Sequence, residues 1–91
     1  MNETQLIREC RQGNLKAQET LYKYFAPKMM GMCIRYTSDR DKANDLLQDG
    51  FVKVFTHLDE YRGEGSFDGW IRQIFIRCAL EKIRQDNTPG A

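Results

Sequence analysis

One histidine, His57, and three widely spaced cysteines, Cys10, Cys33 and Cys78, are the only imidazole and thiol side chains in this 91-residue sequence. An odd number of cysteines without close pairs argues against a disulfide framework, so reduced thiols are expected. The same four residues have the ligand count of a Cys₃His zinc site, but the short C-x₂₋₄-C pairs on which structural zinc sites build are missing, and no metal or other cofactor is implied. A Cys or Ser nucleophile would have to recruit His57 from an otherwise amphipathic helical segment, so no enzyme is expected. Long apolar runs are lacking too. The stretch from Phe25 to Ile34 is broken by Pro27 and Lys28, far short of the roughly 18 residues a membrane span needs, and excludes membrane insertion. Glu3, Arg8 and Glu9 interrupt the region where a secretory signal would be apolar, so the chain is expected to stay in the cytoplasm.

With 41% hydrophobic and 30% charged residues the chain can form one small core, and its length fits one domain. Internal repeats and low-complexity runs are absent, there are only two prolines, and strong helix formers fill most windows; the fold class is read as all-α, a compact four-helix domain. Helix one is expected from about Glu3 to Gln12, with Leu6, Ile7 and Cys10 on one face, Gly13 ending it and Asn14 capping the next. In helix two, Ala17, Leu21, Phe25, Met29, Met32 and Tyr36 make a stripe at spacings of three or four, and Pro27 inside it predicts a kink. Met29, Met30 and Met32 are read as core. Ser38 and Asp41 form the Ser-x-x-Asp variant of a capping box for helix three, with Asp39 also suited to the positive end of the helix dipole.

Helix three has two faces. Ala43, Leu46, Leu47, Phe51, Val54 and Leu58 point inward, while Asp45, Gln48, Asp49 and Val52 recur at i, i+3, i+4 and i+7 on another side. A polar loop of Arg62, Gly63, Glu64, Gly65 and Ser66 follows, with Ser66 as a cap for helix four from Phe67 to about Gln85. That helix is apolar almost all round and is read as the central one. Residues 1–86 are taken as the domain, and 87–91, with Pro89 and Gly90, as the start of a linker or a tail.

The net charge of +1 hides a division. Residues 1–38 carry six basic and three acidic side chains, 39–61 three and six, and 62–91 five and four, so the middle is the acidic block. The polar surface of helix four is mostly positive: Arg72, Arg77, Lys82 and Arg84 against Asp68 and Glu81, which suits phosphate contact.

Three segments in order, Asp45-Leu46-Leu47-Gln48-Asp49-Gly50-Phe51, Tyr61-Arg62-Gly63-Glu64-Gly65-Ser66-Phe67 and Trp70-Ile71-Arg72-Gln73-Ile74, resemble region 2 of bacterial sigma factors, especially the extracytoplasmic-function (ECF) group. The opening helix and Asn14-Leu15-Lys16-Ala17 with Leu21-Tyr22 are similar to that family's N-terminal segment. The resemblance implies that Asp45, Gln48, Asp49 and Val52 dock on the clamp-helix coiled coil of the RNA polymerase β′ subunit. It also implies that Arg62, Gly63, Glu64, Gly65 and Ser66 with the start of helix four read the minus-ten promoter DNA as separated non-template strand. Arg72 and Arg77 are then the phosphate candidates and Gln73 the base-edge candidate. An anti-sigma factor is a further partner of the kind the resemblance implies.

The sequence departs from the family in four places. Gly69 stands where primary sigma factors carry a tryptophan, so their melting wedge is absent, as in the ECF group. Asp68 stands where many members are basic or neutral, and an acid there is expected to repel phosphate; Arg77 replaces an asparagine common in the group. Family members continue into a second helical domain that reads the minus-thirty-five element, whereas this chain stops at Ala91 and is read either as an excised domain, the favoured reading, or as natively short. Trp70 is read as core rather than stacking surface, and Tyr61 and Phe67 as either base wedges or anchors of the loop ends. Two rivals stand beside this reading: a helical protein-binding adaptor that uses the acidic face alone, without nucleic-acid contact, and a duplex-reading module.

Overall fold

The computed structural model describes residues 2–86 as helices and tight connections. The elements are α1 (Glu3–Arg11), α2 (Leu15–Thr37), α3 (Arg40–Thr56), a 3₁₀ turn (Leu58–Glu60) and α4 (Phe67–Asp86), with no strand among the described residues. The expected linker at 87–91 lies outside the described residues.

The corner between α1 and α2 is set by local hydrogen bonds. The Asn2 side chain accepts from the Gln5 amide at 3.0 Å to open α1, and the Asn14 side chain does the same for the Ala17 amide at 3.0 Å to open α2. Between them Gly13 adopts φ +82°, while the Asn14 amide donates to Glu9 O and the Gly13 amide to Cys10 O, each at 3.1 Å. These are the two bonds of a Schellman motif, which satisfies carbonyls that the helix leaves without partners.

The second corner differs from the expected capping box. Helix α2 runs on to Thr37, so Ser38 turns the chain in the left-handed conformation at φ 54°, its amide donating to Ile34 O at 2.8 Å. Asp39 is the cap of α3 instead, accepting from the amides of Asp41 at 2.8 Å and Lys42 at 3.3 Å. With so short a connection the serine is consumed in reversing direction, and the carboxylate brings a full negative charge to the positive helix end.

Helix α2 packs against all three other α-helices, most extensively against α3, and is therefore the central helix rather than α4. Its buried line is Ala17, Leu21, Phe25, Met29 and Cys33, every fourth residue, so the stripe ends on Cys33 and leaves Met32 half-buried and Tyr36 exposed. Met30 also packs partly on the core. The helix is unbroken through Pro27, and Pro27 and Lys23 are both exposed. The Lys23 carbonyl that loses its amide partner to the proline therefore faces water.

Helix α4 buries Phe67, Ile71, Phe75, Cys78 and Ala79, but Leu80 and Ile83 remain 50% and 39% exposed. Its near-uniform apolarity thus overstates its burial. Aromatic edges tie the layers together: Phe25 meets Phe67 at 5.6 Å and Phe51 meets Phe75 at 5.3 Å, both edge-to-face. All six expected inward residues of helix three are buried, with Leu58 supplied by the 3₁₀ turn. Gly50 joins them, because a Cβ there would overlap the ring of Phe75.

That overlap gives a stability prediction. Gly50→Ala gains helix propensity of about 1 kcal/mol but forces the Phe75 ring out of place, for a net loss of about 1 to 2 kcal/mol. Thermal denaturation should show a Tm lower by about 5 °C or more; an unchanged or higher Tm would show that the ring moves freely.

Candidate functional site

The loop between the 3₁₀ turn and α4 stands on a floor of rings. Tyr61 and Phe67 are buried at its two ends with centroids 5.0 Å apart; Trp70 is half-buried, stacked on Phe67 at 5.7 Å and tilted against Tyr61 at 5.4 Å. Tyr61 and Phe67 are thus anchors of the loop, and Trp70 shares its surface between the core and solvent. Gly63 and Gly65 adopt φ +80° and +75°, which side chains disfavour. The Tyr61 hydroxyl donates to Gly65 O at 2.9 Å, closing the loop on itself. At its exit Ser66 Oγ accepts from the Gly69 amide at 2.9 Å, making Ser66 the expected cap of α4. Arg62, Gly63, Glu64, Gly65 and Ser66 are all exposed.

The loop's entrance is held by a residue that sequence reasoning did not single out. Arg11, in the last turn of α1, donates from Nε and Nη2 to Leu58 O at 3.2 and 3.1 Å and from Nη2 to Tyr61 O, with Asp59 Oδ1 3.8 Å from Nε. Nothing in the local pattern marks it: a basic residue in a last helical turn already has a reason in the helix dipole.

On α4, Arg72, Gln73 and Arg77 are all exposed. Gln73 and Arg77 are four residues apart on one face, and Arg77 lines a groove with Trp70 and Ile74 from α4 and Lys53 and His57 from the end of α3. His57 Nδ1 is paired with Glu60 there. Arg72 is turned towards Asp68, its Nε bonded to Oδ1, and Lys28 from α2 lies 3.7 Å from the other carboxylate oxygen. Two cations on one carboxylate leave this cluster net positive, so Asp68 does not present the bare acid expected from sequence. Lys28, which also sits 4.8 Å over the Tyr24 ring, is the second contributor that sequence reading missed, being 40 residues away in the chain.

Asp45, Gln48, Asp49 and Val52 are all exposed along the outside of α3, with Val52 63% exposed. They do not form a bare acidic ridge. Lys82 Nζ of α4 lies 2.8 Å from Asp49, and Lys53 Nζ lies 3.0 Å from Glu81, so salt bridges cross the seam between the two helices. The Lys82 ammonium is pushed to a higher pKa by its hydrogen bond to Asp49 and by the charges of Asp49 and Asp45; Lys53 is raised in the same sense by its bond to Glu81. Both remain charged wherever the protein would work. Gln48 Nε2 donates to Tyr22 Oη at 3.3 Å, fixing its amide across to α2.

The three cysteines are buried and free. Burial pushes the Cys33 thiol up to about 11 and raises Cys10 and Cys78 as well, so all three are poor nucleophiles at neutral pH. Among the described residues no three His, Cys, Asp or Glu side chains are grouped to hold a metal ion.

Comparison with known proteins gives a consistent set of matches. The family model of sigma-70 region 2 matches residues 21–88. The RNA polymerase sigma-H factor of Pseudomonas aeruginosa is 29% identical over 79 residues, which is 87% of this chain and 41% of that protein. The ECF RNA polymerase sigma-E factor of Haemophilus influenzae is 31% identical over 74 residues, 81% of this chain and 39% of that one. The sigma-E factor of Escherichia coli K12 is 28% identical over 74 residues, with 81% and 38% covered. The chain thus spans about two fifths of the length of these curated relatives.

The hydroxyl that closes the loop can be removed without changing the aromatic floor. Tyr61→Phe should lose about 0.5 to 1.5 kcal/mol of local stability, and amide hydrogen exchange at residues 63–66 should quicken by about two- to tenfold. Unchanged exchange would mean that the glycines and the ring contacts alone set the loop.

Proposed function

The chain belongs to the sigma-70 region 2 family, and on that premise we propose that it is the part of an ECF-type sigma factor that joins RNA polymerase to the minus-ten promoter element. The action is binding without catalysis, in the cytoplasm, with residues 1–86 working as one unit. The observation that carries the reading is the placement of Arg62, Arg72, Gln73 and Arg77, all exposed, on a glycine-shaped loop whose ends are anchored in buried rings and along the helix that follows it.

Single-strand recognition needs a cationic track for phosphates and a rigid edge against which an unstacked base can be held. Arg72 and Arg77 supply charge, and Gln73 has an amide that donates and accepts together, the chemistry needed at a base edge. The loop supplies backbone that a base can approach closely, since Gly63 and Gly65 carry no side chains. The half-exposed face of Trp70 lies in the groove that Arg77 lines, which supports a stacking contribution alongside its core role.

The polymerase partner falls to the outer face of α3. Asp45 and Asp49 offer carboxylates, Gln48 an amide between them and Val52 an aliphatic contact one turn beyond Asp49, an arrangement suited to a basic helix of the β′ clamp. Charge complementarity of this kind sets register and association rate more than affinity. Because Asp49 is already paired with Lys82, a basic partner there must share or exchange that salt bridge.

Two experiments test the two halves of the proposal. A fluorescent single-stranded minus-ten oligonucleotide should bind with salt-dependent affinity and the same sequence as closed duplex much more weakly. Replacing Arg72 and Arg77 together should flatten the slope of log affinity against log salt by about 1.4, at about 0.7 per phosphate contact on a single strand. Equal affinity for duplex and single strand would contradict the melting role, and no affinity for either would favour the protein-binding adaptor. Separately, Asp45→Arg or Val52→Asp should weaken capture by a β′ clamp-helix fragment at least tenfold while leaving oligonucleotide binding within twofold; parallel loss of both would show that the faces are not independent.

A further inference from the structure

We propose that Arg11 is a positioning residue for the nucleotide-reading loop, so that α1, which precedes the segment matched by the family model, sets how that loop is presented. The inference rests on the reading of residues 62–66 as a single-strand contact.

The geometry is that of a fork bracketing a turn. The Arg11 guanidinium bonds the carbonyls of Leu58 and Tyr61, the first residue of the 3₁₀ turn and the residue just after it. The Tyr61 amide also donates to Leu58 O at 3.2 Å, so the two carbonyls are drawn together at one place. A planar guanidinium can hold both at once, whereas a lysine ammonium on a flexible stem offers a point charge without that fixed spacing. Tyr61 is the last residue before Arg62 and the left-handed Gly63, so the orientation of its peptide decides the direction in which the loop leaves the bundle. The same contact shapes a cleft of about 460 Å³ between α1 and the loop, with Thr4 and Ile7 on one side, Arg62 and Gly63 on the other.

This role is separable from holding the fold together. Leu6, Ile7 and Cys10 dock α1 on the core by burial, while the Arg11 side chain is 34% exposed. Removing the guanidinium therefore frees the loop before it frees the helix. The charge of Arg11 and its geometry also make different demands, which the choice of variants exploits.

The test compares Arg11→Gln and Arg11→Lys in three measurements: amide hydrogen exchange at residues 62–66 without DNA, discrimination between single-stranded minus-ten and scrambled oligonucleotides, and capture by the β′ clamp-helix fragment. Arg11→Gln should speed loop exchange at least fivefold and cut discrimination at least threefold, with capture within twofold of the unsubstituted protein and Tm within a few degrees. Arg11→Lys should keep the salt dependence but show the same loss of discrimination. Unchanged loop exchange in Arg11→Gln, full retention of discrimination by Arg11→Lys, or a fall in discrimination and capture together with Tm would each overturn the proposal. If the unsubstituted protein binds no oligonucleotide, the single-strand reading itself fails and the reading role assigned to Arg11 fails with it; the exchange measurement would then still decide whether Arg11 orders the loop.

Discussion

The ring of Phe75 lies where a side chain at position 50 would be, and most of the molecule's arrangement follows from that contact. With no Cβ on Gly50, α4 can lay an aromatic ring on the backbone of α3, and Phe51 meets the same ring edge-to-face. This fixes the rotation of both helices about their axes. On α3 it turns Asp45, Gln48, Asp49 and Val52 outward; on α4 it leaves Arg72, Gln73 and Arg77 in solvent. The salt bridges Lys82–Asp49 and Lys53–Glu81 cross the same seam. Exposed pairs of this kind contribute little stability individually, so the ring contact sets the geometry and the charges decorate it.

The loop is built by a different logic, from closure rather than burial. Its exposed residues have no core of their own, yet both ends are fixed in rings, its hydroxyl bond from Tyr61 to Gly65 is internal, and its entrance is gripped by Arg11. Left-handed glycines give it a shape that other residues would resist. A segment held in this way can present backbone groups and a cation in one arrangement, which on the proposed function would lower the entropy lost when a flexible single strand is bound. Its electrostatics are also less simple than a count of charges suggests, since Asp68 is answered by both Lys28 and Arg72.

Much of this was legible in the sequence because it depends on short-range periodicity. The inward set on α3 and the caps at Asn14 and Ser66 are local patterns, and the structure carries them as read. Other features depend on distant partners and left no local trace. Ser38 read as a helix cap until the length of α2 made it the turning residue. Tyr36 continued the stripe on spacing alone, but the every-fourth-residue line carries burial to Cys33. The apolarity of α4 suggested a central helix, whereas α2 touches more of the molecule and Leu80 stays in solvent. Arg11, Lys28 and the Asp49–Lys82 pair are tertiary facts: each joins residues at least 30 positions apart, beyond the reach of any helical repeat.

On the proposed function, one small bundle holds two binding faces that work independently, one for an unpaired strand and one for a polymerase helix. Backbone amide chemical shifts, followed while a single-stranded minus-ten oligonucleotide is titrated in, test it directly. Progressive shifts are expected at residues 62–66, 72, 73 and 77, with positions 45, 48, 49 and 52 unmoved. Shifts concentrated on the outer face of α3, or spread evenly over the bundle, would contradict it.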